Sequence, residues 1–326
     1  MQRQHYFDNL KAGLIFLVVL GHFFELVTSR IVDMTYVYIY LFHMPLFVFV
    51  SGYFAKYDAR RLLFGLVPLY AVFQVLYITF LGTGFGHTWL HMQFTSPHWI
   101  MWYLFALIVW TLFVPILEFC CKNRLTACLT VVFSFALGLL AGFDDTIGYF
   151  LGLSRILYFF PFFVLGYVLK KFMVVFPGLL ARWYVRGLFG LLSLGIAALV
   201  YLYFARLDLR WFWGAYSYGA LSYTGYGFMT RGFVYMFTIV LSVFVLSVTP
   251  RGKWFFSYIG KRTLPVFLLH GFVVLLVREV NLLYLIPGGF VVVGAVFVFS
   301  LCLVLVFSSG FFSFSTWYGI LKPGRK

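Results

Sequence analysis

An all-α, polytopic integral membrane protein is the fold class this sequence predicts, on three observations. The 326 residues are 63% apolar or aromatic and 10% charged, with a mean hydropathy of +0.99. Soluble domains carry about 25% charged residues, so a water-soluble fold, a coiled coil and intrinsic disorder are excluded together. Uncharged runs of membrane-spanning length recur along the whole chain. Basic residues gather between those runs, so the formal charge of +15 follows the rhythm of membrane topology and not a nucleic-acid-binding face. No nucleic-acid partner is expected.

A helix that crosses the hydrocarbon core needs about 20 apolar residues. Ten runs qualify, near 10–27, 36–54, 62–82, 99–117, 125–142, 152–170, 187–205, 230–248, 264–280 and 288–309. The run at 264–280 is the weakest, being short and carrying Pro265 and His270. With both termini and every second loop assigned to the cytoplasm, eighteen Lys and Arg fall on that side and five on the other, while Arg155 lies inside a span. That asymmetry follows the positive-inside rule and predicts about ten transmembrane helices with both termini cytoplasmic. The first run is too long for a signal-peptide core and no small-residue cleavage site follows it, so it reads as a retained helix. No linker and no internal repeat interrupts the pattern. A single membrane-embedded domain over 1–326, seated in the cytoplasmic (inner) membrane among its lipids, is the expected organisation. Cys120, Cys121, Cys128 and Cys302 show neither CxxC nor metal-ligand spacing.

Ionisable groups inside a span are costly and read as functional candidates. In the first helix Lys11 and His22, eleven residues apart, return to within about 20° of one face and lie about 16 Å apart along the axis. Asp8 precedes Lys11 by one turn. Glu25 follows His22 by one turn, placed to hold its ring tautomer and raise its basicity. A cation at the cytoplasmic rim and a base in the membrane interior suit a long polyanionic ligand, whose charged end stays outside while its reactive end reaches the histidine. A snorkelling lysine that only anchors the helix is the plainer alternative.

The second span places His43, in YLFHMPLF, about 10 Å inward from its outer end. Ser51 and Gly52 form a small-residue step where a helix or ligand can approach closely; Ser51 lacks the GxSxG elbow of a serine nucleophile. Lys56, Arg60 and Arg61 follow on the side of Lys11, as topology determinants or as phosphate ligands. In the next outer loop HTWLH (His87, His91), with His98 nearby, has helical two-histidine spacing but no supporting carboxylate, so no metal site is expected. Asp144 and Asp145 read as a solvated loop. Arg155 and Arg231 open the sixth and eighth spans at the outer side, either snorkelling to headgroups or lining a cavity for a polar substrate. His270, in LPVFLLHGF, lies about 10 Å inward from the cytoplasmic end of the ninth. Against a functional role stands the reading of unrelated histidines, each satisfied by a backbone carbonyl.

The segments YFDNLKAGLIFLVVLGH (6–22), YLFHMPLFVFVSGYF (40–54), RRLLFGLVPLY (60–70), WIMWYLFALIVW (99–110), SRILYFFPFFVLGY (154–167) and SYIGKRTLPVFLLH (257–270) together resemble the acyltransferase 3 family of integral-membrane O-acyltransferases, most of all its fucose 4-O-acetylase-like group. The family's first-span motif is an arginine, ten residues and a histidine; here Lys11 stands in the arginine's place, keeping the charge without the bidentate geometry. Its FxxSG motif is met by Ser51 and Gly52, with Val48 where the phenylalanine would be. Arg60 and Arg61 match the basic loop that follows. The resemblance implies transfer of an acyl group from cytoplasmic acyl-CoA to a hydroxyl of an extracytoplasmic glycan or lipid-linked sugar.

The expectation is thus an O-acyltransferase, with acetyl-CoA the favoured co-substrate and no tightly bound cofactor. Lys11, Arg60 and Arg61 hold the coenzyme phosphates. His22, in a catalytic set with Glu25 one turn on and with Asp8 and Lys11 at the start of the same helix, acts as general base on the acceptor hydroxyl or as a transient acyl carrier. His43, Ser51, Arg155, Arg231 and His270 bind the acceptor or shape its cavity. A proton-coupled transporter or flippase for a glycolipid is the alternative from another class, and a non-catalytic scaffold leaves the intramembrane histidines unexplained. The acceptor, the acyl group and the oligomeric state are not legible in the sequence.

Overall fold

The computed structural model describes residues 5–85, 96–172, 178, 180–204, 207–222, 225–285 and 290–312; every regular element among them is a helix, and none is a strand. The long helices are α1 (His5–Phe24), α2 (Arg30–Tyr40), α3 (His43–Phe54), α4 (Val67–Phe85), α5 (Trp102–Cys120), α6 (Arg124–Leu140), α7 (Leu153–Phe172), α8 (Trp183–Tyr203) and α9 (Gly227–Val248), followed by the short α10 (Phe256–Gly260), then α11 (Thr263–Glu279) and α12 (Phe290–Phe307). Among the described residues nine helical segments are long and apolar enough to cross a membrane. The protein is a multi-pass membrane protein. The expected span at 264–280 is the exception to the count: α11 is helical but only 17 residues long, about 25 Å, where the hydrocarbon core measures about 30 Å.

The second expected span also begins earlier than its apolar run, at Arg30, and consists of two helices joined at Leu41 and Phe42. Pro45 explains the join. The Leu41 carbonyl needs the N–H of residue 45, which proline lacks, and the Thr238 hydroxyl donates to it instead, at 2.6 Å. A second proline acts likewise ahead of α4, where Leu62–Leu66 form one turn of π-helix just before Pro68.

The chain divides into two compact units. The first comprises residues 1–47, 175–212 and 232–313. Within it α1 packs against α10, α11 and α12, and 72% of its spanning window is buried against protein, compared with 17% for α8 and 22% for α12. Helix α1 is therefore the core helix of this unit, and α8 and α12 are its lipid-facing ones. Gly260 makes the approach of α10 possible, since a Cβ there would meet the Asp8 carbonyl oxygen at 1.7 Å. Asn9 ties the same end of α1 to the segment before α10, donating to the Pro250 and Gly252 carbonyls at 2.9 Å and accepting from the Ser257 hydroxyl at 2.6 Å. The last turn of α9 leaves orphan carbonyls. Tyr6 donates to Leu246, whose own partner would be Pro250, and Arg186 donates to Ser247.

The second unit comprises the described residues within 48–174 and 213–231. A glycine pair brings α3 and α7 into backbone contact: a Cβ on Gly52 would lie 2.0 Å from the Phe163 oxygen, and one on Gly166 2.1 Å from the Phe49 oxygen. The small-residue step at Ser51 and Gly52 thus receives a helix. Helix α6 opens with a capping box between Asn123 and Thr126, and Trp110 Nε1 on α5 donates to the Ile156 carbonyl of α7 at 3.1 Å.

Candidate functional site

In the first unit the polar residues of α1 form two groups. Near the start, the Lys11 ammonium lies 3.2 Å from the Asp8 carboxylate, and the two side chains are 25% and 6% exposed. At the far end, His22 Nδ1–H donates to Glu25 Oε1 at 3.2 Å, which leaves the acceptor lone pair to ring nitrogen Nε2. The phenols of Tyr36 and Tyr40 donate to the same Glu25 oxygen, at 3.2 and 2.5 Å. The His270 ring stacks on the His22 ring at a centroid distance of 5.6 Å.

The three intramembrane histidines are not equivalent. His43 and His270 are 2% and 0% exposed, and each donates Nδ1–H at 2.9 Å to the carbonyl one turn earlier, Ile39 and Val266. For both, the plain reading of a buried histidine bonded to a nearby backbone carbonyl describes Nδ1, while Nε2 of His270 is buried with no hydrogen-bond partner among the described residues. The His22 side chain keeps 16% exposure beside a Glu25 that keeps 30%, so His22 is the one that a ligand can touch.

In the second unit Ser51 Oγ and the Tyr103 hydroxyl share a hydrogen bond of 2.6 Å. Arg61 is engaged by Asp58, whose carboxylate accepts from the Arg61 backbone at 3.1 Å and lies 3.0 Å from its Nε. Arg60 is exposed and makes no hydrogen bond or ion pair among the described residues. Arg155 donates to the Trp213 carbonyl at 3.2 Å and lies 5.5 and 5.3 Å over the rings of Trp102 and Tyr149.

Arg231 does not snorkel, which removes one of the two readings its place at the outer side allowed. It is 2% exposed and donates to the carbonyls of Gly138 and Tyr216 at 3.0 and 2.8 Å. Its guanidinium lies 5.3 and 4.7 Å from the ring centres of Tyr158 and Tyr218. Gly138 belongs to the last turn of α6, so the helix dipole and two aromatic faces compensate this buried cation. Asp144 and Asp145 are exposed, as a solvated loop requires. His87 and His91 lie outside the described residues; His98 stacks on Tyr77 at 6.0 Å, and its backbone N–H donates to Gln74. Among the described residues no three of His, Cys, Asp and Glu gather as metal ligands do.

The acyltransferase-domain family Acyl_transf_3 matches residues 4–309. The chain belongs to this family. It also shares 49% identity over 55 residues with Nodulation protein NolL of Sinorhizobium fredii, a match covering 15% of this chain and 15% of that protein. No solved structure matches the chain significantly. This member of the family therefore carries, at the end of its most buried spanning helix, a histidine paired with a carboxylate. Sequence reasoning found that pair but missed Tyr36 and Tyr40, whose spacing looks like that of any aromatic stripe on an apolar helix. It also missed Asn9, whose partners lie 241 and 243 residues away. The cue available for the tyrosines was Gly21 beside His22, which leaves room for a large ring.

Proposed function

We propose that this acyltransferase moves an acyl group, by preference acetyl, from cytoplasmic acyl-CoA to a hydroxyl of an extracytoplasmic glycan or lipid-linked sugar, in the cytoplasmic membrane. The observation that carries the reading is the accessible His22 held at Nδ1 by Glu25, on a spanning helix whose window is 72% buried. A charged group kept at that depth has a strong functional prior. In the proposed step Nε2 of His22 takes the proton as the acceptor oxygen attacks the thioester carbonyl. The C–O bond forms, the C–S bond breaks, and the departing thiolate receives the proton from His22. Lys11, Arg60 and Arg61 hold the coenzyme phosphates as charge-assisted donors. Arg155, half-buried among aromatic rings, contacts the acceptor, while Arg231, His43, His270 and Ser51 shape the surroundings. The fucose 4-O-acetylase-like group is the subgroup this reading favours.

Purified protein in lipid nanodiscs, supplied with radiolabelled acetyl-CoA and a membrane glycolipid extract, tests this. Label is expected in the glycolipid fraction, and His22→Ala should reduce its appearance by about 10²–10⁴-fold, the usual contribution of a general base, while the variant inserts and melts normally. Substantial transfer by a well-folded His22→Ala variant refutes the base assignment.

A further inference from the structure

We infer that Tyr40, assisted by Tyr36, is a positioning residue for this reaction, acting on His22 through Glu25. The inference rests on the reading of His22 as the base. Helix α1 ends at Phe24, so Glu25 lies one residue past it, in a turn, and the backbone alone does not aim its carboxylate. Three donors converge on one of its oxygens: His22 Nδ1, the Tyr36 hydroxyl and the Tyr40 hydroxyl, the last at 2.5 Å. Both phenols come from α2, where a spacing of four residues puts them on one face, and their rings stack at 3.8 Å. The His43 ring also packs on Tyr40, in a T-shaped contact at 4.6 Å. Two ring contacts thus hold the Tyr40 ring in place and restrict where its hydroxyl points.

The approach depends on Gly21. A Cβ at that position would lie 2.9 Å from Cε2 of Tyr40, so the residue before the proposed base has no side chain where the ring must pass. A carboxylate pinned by two phenols accepts from His22 Nδ1 in one geometry and keeps Nε2 as the proton acceptor. Without the phenols the glutamate samples other rotamers, and the imidazole loses its fixed tautomer and aim. The cost falls on the chemical step and not on substrate binding.

The test is steady-state kinetics of Tyr40→Phe, which removes one oxygen and keeps both ring contacts. A hydrogen bond to a charged group is typically worth a factor of ten or more, so kcat should fall about tenfold while KM for acetyl-CoA and for the acceptor stays within about twofold. Tyr36→Phe, which loses the longer bond, should lower kcat about threefold. In a Glu25→Ala background Tyr36→Phe should have no further effect, because its route to His22 runs through Glu25, and Tyr40→Phe should cost less than in the wild-type background, its hydroxyl also lying 3.5 Å from His22 Nδ1; a merely structural tyrosine would lower kcat again by the full factor. Wild-type kcat in folded Tyr40→Phe, or additive losses in the double variants, overturns the inference. If Tyr40→Phe does not fold, Tyr36→Phe alone and in the Glu25→Ala background gives the same two readouts. Full activity in Tyr40→Phe beside an inactive His22→Ala removes only Tyr40 from the mechanism. An active His22→Ala removes the reading on which it rests.

Discussion

A cation or an imidazole persists in the membrane interior only with partners, and the partners decide what chemistry remains to it. His43 and His270 each commit Nδ1 to the carbonyl four residues earlier and are buried away from ligands. His22 spends Nδ1 on a carboxylate and stays reachable. The same accounting separates the two arginines proposed to hold coenzyme phosphates. Arg61 already serves Asp58, whereas Arg60 is exposed. Replacing Arg60 by Gln should therefore raise KM for acetyl-CoA about tenfold or more, as expected for losing a charged contact to phosphate. Arg61→Gln should raise it less, and KM for the acceptor should move in neither. Equal effects, or none, in assays that vary acetyl-CoA alone would return both residues to a topological role.

At the scale of elements, the prolines set where each helix must borrow a donor. Thr238 supplies the Leu41 carbonyl that Pro45 leaves orphaned. Thr238→Val should lower stability by about 1–3 kcal/mol, the usual cost of a buried unsatisfied acceptor. Adding Pro45→Ala should recover part of the loss, since residue 45 then carries an N–H for Leu41. Thermal unfolding in detergent measures both, and a double variant no more stable than Thr238→Val would show that the hydroxyl does not substitute for the missing helical bond. Much of this level was legible beforehand: most helices lie within a few residues of their apolar runs. The break at Leu41 and Phe42 was not, because hydropathy is blind to a missing donor inside an apolar stretch. The early start at Arg30 was hidden too, since RIVDMTY carries charges that a hydropathy run rejects.

For the whole molecule the open quantity is sidedness. The charge alternation needs α11 to cross despite its 17 residues, which a locally thinned bilayer or snorkelling flanks accommodate at modest cost. In a cysteine-free background, Asn281→Cys should react with an impermeant maleimide from outside the cell, and Gly252→Cys only after permeabilisation. In oriented vesicles acetyl-CoA should be required on the side of Gly252 and the acceptor on the other. Labelling of both cysteines from one side would show that α11 does not cross. Transfer with both substrates confined to the Gly252 side would refute delivery of the acyl group through the membrane.

Class, approximate span count and the His22–Glu25 pair were determined by the sequence alone, because each rests on local quantities: run length, charge placement and helical spacing along one segment. The roles of the remaining polar residues were decided only by tertiary structure. Arg231 has the spacing of a headgroup anchor, yet it is buried because the end of α6 and two tyrosine rings, brought in from distant parts of the chain, offer it a better environment than the interface. Tyr36 and Tyr40 are two aromatics among 76, and what sets them apart is packing that brings both hydroxyls to Glu25, Tyr40 by passing over Gly21. Spacing along a helix tells which residues share a face; only packing tells what that face meets.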